Sequence, residues 1–114
     1  MAEQYVSILG QRWTLDVCPE EKYDFLSEFC DGSCDNTIRR MVVCDYSSQK
    51  PDPLNKQNLE QQSNKNVRHE MIHAFLFESG LAENSSWAQS EEMVDWFAIQ
   101  FPKLMEAMKQ VGSL

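Results

Sequence analysis

His69 and His73, the two histidines of the chain, stand four residues apart in the segment Arg68-His69-Glu70-Met71-Ile72-His73-Ala74-Phe75. Each residue of an α-helix turns about 100°, so the two imidazoles lie roughly 40° apart on one face. Neutral ring nitrogens placed this way can grip one tetrahedral zinc ion, with Glu70 on the flank of the same site; this is the H-E-x-x-H arrangement. Zinc with an open fourth position lowers the pKa of bound water from about 16 to about 7. Glu70 is the candidate general base: it would take a proton from that water during attack on a carbonyl and deliver it to the leaving amine. The bland alternative is a helix with two ordinary histidines and a surface glutamate.

The surrounding register favours the metal. Val67, Met71, Ile72, Ala74, Phe75, Leu76 and Phe77, projected on a helix, cover nearly its whole circumference, which predicts burial on most sides. Two histidines and a glutamate inside such a helix carry a desolvation cost unless a partner satisfies them. A metal ion meets that need for the pair better than separate backbone contacts would.

A third protein ligand is expected from a second helix. Gly80-Leu81 reads as a helix C-cap with its hydrophobic follower, and a polar link runs from Ala82 to Ser86. In the segment that starts at Glu91, the residues Met93, Val94, Phe97, Ala98 and Phe101 cluster on one side. Glu91 and Asp95 border that stripe, whereas Glu92 points nearly opposite its centre. Glu91 is therefore the third ligand of a His-His-Glu site. Asp95, one turn on, is placed to accept a hydrogen bond from a ligand histidine and fix its tautomer. The competing role for Glu91 is that of a first-turn acid complementing the helix dipole after Ser90.

Together, His69-Glu70-x-x-His73 and Glu91-x-x-Val94-Asp95-x-Phe97-Ala98 resemble the ImmA/IrrE group of metallopeptidase-like domains, known for a helix with H-E-x-x-H and a following helix with E-x-x-A-N-x-F-A. The stretches Asp31-Gly32-Ser33-Cys34-Asp35, Arg68 to Leu81 and Glu91 to Lys103 are also similar to small proteins encoded in bacterial phages and prophages. The resemblance implies His69, His73 and Glu91 as zinc ligands and Glu70 as general base. Val94-Asp95 stands where the group commonly has Ala-Asn, and an aspartate there suits a gluzincin-type partner to a ligand. No helix-turn-helix segment of the kind often fused to such peptidases is visible. Repressor cleavage thus rests on analogy alone.

The 114 residues are enough for one domain with a modest core, so a single zincin-like domain over 1–114 is expected. A formal charge of −8 and a pI near 4.6 argue against nucleic acid as a partner, which needs a basic face. No apolar run reaches a membrane span, and Met1-Ala2-Glu3-Gln4 lacks a signal-peptide layout, so no membrane role and a cytoplasmic location are expected, in a bacterial host if phage-encoded. In that setting Cys18, Cys30, Cys34 and Cys44 are expected as reduced thiols. Cys30-x-x-x-Cys34 is a weak second metal motif, because its spacing to the outer cysteines is irregular.

The order of elements is strands first, helices later, an α+β plan. Tyr5 to Leu9 and Trp13 to Val17 read as a hairpin around Gly10-Gln11. Pro19-Glu20-Glu21 opens a short helix with Tyr23, Phe25, Leu26 and Phe29 on mixed helical spacing, broken by Asp31-Gly32. Thr37 to Cys44 is the strongest strand, flanked by a short one at Gly32 to Cys34 in a second hairpin. Ser47 to Leu54 is an exposed loop. Gln57 to Asn66 reads as the solvent-facing first turns of the zinc helix. Pro102 stops or kinks the last helix, and Leu104, Met105, Met108 and Val111 continue as a short amphipathic tail. Trp87 and Trp96 read as packing residues.

This plan predicts a zinc-dependent metallopeptidase, or peptidase-like hydrolase, acting on a protein or peptide partner. A strand beside the zinc helix would hold the substrate by β-augmentation, with Thr37 to Cys44 the candidate near the cleft and the free edge unassigned. The oxyanion donor is open among Tyr5, Tyr23, Tyr46 and Arg68. The rival reading is a zinc-binding adaptor of phage or prophage origin that cuts nothing; retention of Glu70 beside the metal favours the enzyme.

Overall fold

The computed structural model describes residues 3–28 and 31–114. Met1 and Ala2 of the amino-terminal reading, Phe29 of the short helix and Cys30 of the Cys30-x-x-x-Cys34 pair lie outside them.

Alternation along the first strands sorts side chains onto two faces. Strands β1 (Gln4–Ile8) and β2 (Gln11–Cys18) pair antiparallel. Their two-residue turn is Leu9-Gly10, both with positive φ, +50° and +84°; this is the mirror-image turn that matches strand twist. Strands β3 (Gly32–Asp35) and β4 (Arg40–Cys44) form the second expected hairpin. β4 begins at Arg40, later than the Thr37 expected, because Asp35 takes Thr37 into the turn. Its Oδ1 accepts from the Thr37 backbone N–H at 3.0 Å and from its hydroxyl at 2.6 Å, a local bond that competes with the strand ladder.

The hairpins join through a parallel β2–β4 pair, giving the order β1-β2-β4-β3. On one face Ile8, Trp13, Leu15, Val17, Met41 and Val43 pack against Ala74. On the other, Cys18, Val42 and Cys44 meet Leu26, with Tyr23 and Phe25 alongside. That second face is covered by a 3₁₀ turn, Glu20–Lys22, and the one-turn helix α1 (Asp24–Glu28). Beneath it Asp16 is fully buried, its Oδ2 accepting from Lys22 Nζ at 2.8 Å and from the Tyr23 hydroxyl at 2.9 Å.

Helix α2 (Leu59–Glu78) crosses the first face. Asn58 caps it by accepting from the Gln61 N–H at 3.0 Å, as short polar side chains do at N-caps. Its first turns are not simply solvent-facing. Ser63 donates to the Cys44 carbonyl at 2.9 Å, and Asn66 donates to the Tyr46 hydroxyl at 2.8 Å. The buried line is Ser63, Asn66, Glu70 and Ala74, on one face at helical spacing. Around it Val67, Met71, Ile72, Leu76 and Phe77 are half-buried and Phe75 is exposed, so the helix is covered less completely than its apolar residues predict.

Gly80, at φ +84°, ends α2, and the expected polar link contains a one-turn helix, α3 (Leu81–Asn84). A 3₁₀ turn at Trp87–Gln89 leads into α4 (Glu91–Gln110). Ser90 caps α4 by accepting from the Met93 N–H at 3.2 Å. Val94 and Ala98 are fully buried where α4 meets α2. Trp87 and Trp96 are 55% and 52% exposed, which corrects their reading as packing residues; Trp13, on β2, is the tryptophan in the core. Pro102 does not stop α4, which continues for two more turns. Among the described residues no helix is long and apolar enough to cross a membrane.

Candidate metal centre

α2 and α4 bring their polar flanks together at one point. Both Nε2 atoms of the histidine pair face the Glu91 carboxylate: His73 Nε2 lies 2.6 Å from Oε1 and His69 Nε2 lies 3.2 Å from Oε2. One ligand atom from each of His69, His73 and Glu91 lies within 4.8 Å of the others. The two rings pack edge to face with centroids 4.9 Å apart. Glu91 also occupies the first turn of α4 behind the Ser90 cap, so its dipole-complementing and site-facing roles coexist. Glu92, its neighbour, is exposed.

Asp95 lies one turn further along α4. His69 Nδ1 approaches Asp95 Oδ1 at 3.2 Å, and Lys65 Nζ donates to the same oxygen at 2.9 Å. These partners, Lys65 first, hold the Asp95 carboxyl below its usual range. A proton on Nδ1 toward Asp95 would turn the lone pair of the His69 Nε2 toward Glu91 and His73.

Glu70 sits on the buried line of α2, facing β3. Burial is the main cause that lifts its carboxyl to about 7, with Glu91 adding to the rise and His69 opposing it. Burial likewise pulls His73 below the usual histidine value. The approach of Glu70 to the sheet depends on Gly32. A β-carbon there would come 3.1 Å from Glu70 Oε2 and 3.0 Å from the Val42 carbonyl oxygen.

These side chains line a cleft of about 470 Å³ together with Gly32, Cys34, Phe77, Ala82, Glu83, Ala88 and Gln89. Sequence reasoning missed this second group. Gly32 carried a signal, since a glycine in a strand marks close approach by another group, and so did Phe77, one turn after His73 on α2. Cys34 is placed by β3, and Ala82, Glu83, Ala88 and Gln89 by how α3 and the Trp87–Gln89 turn fold over the site. Cys34 faces the cleft, and burial and the nearby Glu70 push its thiol up to about 12, away from nucleophile chemistry. Cys18 and Cys44 lie in register on β2 and β4 within the core.

The strand beside the cleft is β3, not the expected Thr37 to Cys44 segment, which β2 and β3 flank on both sides. The Asp31 carbonyl accepts from the Cys44 N–H at 2.8 Å, and the register pairs Ser33 with Val42. Alternation then turns the peptide groups of Gly32 and Cys34 toward the open edge.

None of the candidate oxyanion donors lines the cleft. Tyr23 serves Asp16, Tyr46 bonds Asn66, Arg68 bonds a carbonyl of α4, and Tyr5 lies under Arg12, whose guanidinium carbon is 3.7 Å from the ring centre. Compared with known protein families, curated proteins and solved structures, the chain matches none.

Proposed function

We propose that the chain is a zinc-dependent metallopeptidase, or a closely related hydrolase, of the ImmA/IrrE-like kind. The observation that carries this reading is the convergence of His69, His73 and Glu91 from two helices on one point, with Glu70 lining the same cleft. The donor set fits zinc: two imidazole nitrogens and one carboxylate, the set that leaves a position open in catalytic sites. The side chain of Glu91 is 70% exposed, so the site faces water and an incoming substrate.

A zinc ion in this site would supply Lewis acidity toward water and a substrate carbonyl. His69, His73 and Glu91 would hold it, and Asp95 would fix the His69 ring. Glu70, on the buried line of α2 and lining the cleft beside His69, His73 and Glu91, would accept a proton and return it to a leaving amine. The outward peptide groups of Gly32 and Cys34 offer main-chain hydrogen bonds to an extended peptide beside Glu70.

The test combines zinc content with cleavage of a denatured protein substrate by tag-free wild type, His73→Ala and Glu70→Gln. The reading expects about one zinc per chain, lost in His73→Ala, and cleavage lost in Glu70→Gln with zinc retained. Zinc without cleavage in the wild type would leave the adaptor role instead. Failure to take up zinc at all would end both readings.

A further inference from the structure

A seam runs the full length of α4. Val94, Phe97, Phe101, Leu104, Met108 and Val111 recur at alternating steps of three and four, the spacing of a coiled-coil core. Its first half is used against α2, where Val94 is fully buried and Phe97 half-buried. Past that point the seam opens to water. Phe101, Met108 and Val111 are 44%, 42% and 80% exposed, and Leu114 beyond the helix is 65% exposed. The radius of gyration, 15.1 Å, exceeds the ~13 Å expected for this length, as a projecting half-helix makes it.

Beside the start of the open seam lies an apolar groove between α2 and α4, lined by Arg68, Met71, Ile72, Phe75 and Phe101. We propose that this face pairs with itself: the outer half of α4 packs antiparallel against the same segment of a second copy, whose Val111 and Leu114 enter the groove beside Phe101.

Three observations select a second copy. The positions that flank the seam, Gln100, Met105 and Ala107, carry no charge, while Lys103, Glu106 and Lys109 fall on the far side of the helix. A chain of net charge −8 repels its copies over most of its surface; this face, with uncharged positions flanking the seam and a groove lined by Arg68 and apolar side chains, is free of that acidity. The area also suffices. Phe75, Phe101, Met108, Val111 and Leu114, 42–80% exposed, with the half-buried Leu104 and Met105, together leave on the order of 550 Å² in water, taking roughly 200 Å² for a whole large side chain. An isologous pair would then bury about 1,100 Å², just above the ~1,000 Å² needed for a specific interface.

The orientation follows from where the rest of the molecule lies. The body of each copy sits at the amino-terminal end of α4, so a parallel pair would crowd two bodies together and leave both grooves empty. In an antiparallel pair the core positions of one strand meet those of the other in the order Phe101 to Val111 and Leu104 to Met108.

Sedimentation of the tag-free chain from micromolar to sub-millimolar concentration tests this. The expected result is a mass twice 13.2 kDa at high concentration, falling toward the monomer on dilution. Met108→Glu should weaken association at least tenfold with unchanged far-ultraviolet circular dichroism. Leu54→Glu, at a 93% exposed apolar residue elsewhere, should leave it unchanged. A mixture of Phe101→Cys and Val111→Cys should cross-link on mild oxidation, with neither variant doing so alone beyond the wild-type background. A monomer at every concentration overturns the pairing and leaves the face to a different protein. Association unaffected by Met108→Glu overturns it equally, and cross-linking of Val111→Cys alone overturns the antiparallel arrangement.

Discussion

Arg68 Nε donates to the main-chain carbonyl of Ala98 at 2.6 Å. Ala98 is the residue four before Pro102, whose missing N–H would otherwise have bonded that carbonyl. A side chain of α2 thus replaces a helical hydrogen bond of α4, and α4 runs through its proline. Removing the replacement should leave a poorly satisfied acceptor, so Arg68→Met is expected to cost about 1–3 kcal/mol. In a Pro102→Ala background, where the helical donor returns, the same substitution should cost clearly less. Urea denaturation of the four proteins of this double-mutant cycle gives the coupling, and additive costs would show that the Arg68 bond is not serving the proline gap.

Gly32 has a similar relation to Glu70. A methyl group at position 32 would press on a flexible carboxylate and on the fixed carbonyl of Val42. The carboxylate can swing away; the backbone of a paired strand cannot without disturbing the sheet. Gly32→Ala should therefore destabilise the fold by about 1–3 kcal/mol and lower any hydrolytic rate, while zinc affinity should change little because the three candidate ligands lie elsewhere. Equal losses of zinc binding and rate would point to collapse of the whole site.

The three-donor geometry ranks the acids of α4. Glu91→Ala should weaken zinc binding by more than tenfold, since two histidines alone hold the ion poorly. Glu92→Ala, at an exposed side chain, should leave it within about twofold. Asp95→Asn removes the charge beside His69 Nδ1, and partners of this kind are worth about 10- to 100-fold in metal affinity. Competition with a chelating dye measures all three, and a Glu92 effect larger than that of Glu91 would contradict the assignment.

The convergence of His69, His73 and Glu91 was legible in the sequence because each helix fixes its own face. The spacing of His69 and His73 fixes one helix face, and the apolar residues Val94 and Ala98 fix the phase that turns Glu91 and Asp95 toward it. The first hairpin was legible from its alternation and turn and the second from the apolar, β-branched run ending at Cys44, although its turn extends past Thr37. The parallel pairing of β2 with β4 was not, since nothing in either strand names a partner across more than twenty residues of intervening chain. For the same reason the edge position of β3 and the cleft contributions of Cys34 and Gln89 stayed hidden, whereas Phe77, one turn after His73 on α2, could have been found from helical spacing. Pro102 misled because the compensating donor comes from another helix. Trp96 misled because it lies on the outer side of α4, where an aromatic spacing pattern says nothing of exposure.

Glu78 gives the fold a pH dependence whose sign can be worked out. It closes the end of α2 onto the sheet: Arg39 Nε donates to Oε1 at 2.6 Å, Arg39 Nη2 donates to Oε2 at 3.3 Å, and Trp13 Nε1 donates to Oε1 at 2.9 Å. Arg39 first, then Trp13, holds its carboxyl below the ordinary glutamate range. A carboxyl with a lower pKa folded than unfolded stabilises the fold above the unfolded value, and that contribution is lost as pH falls through the folded value. Wild type should thus exceed Glu78→Gln in urea midpoint near pH 7, and the gap should narrow as pH falls below about 4. Glutamine keeps an acceptor for Trp13 but no charge for Arg39, so the part of the gap that titrates reports the ion pair. A gap that stays constant down to about pH 3 would mean that the Glu78 charge contributes nothing and that shape alone holds this corner.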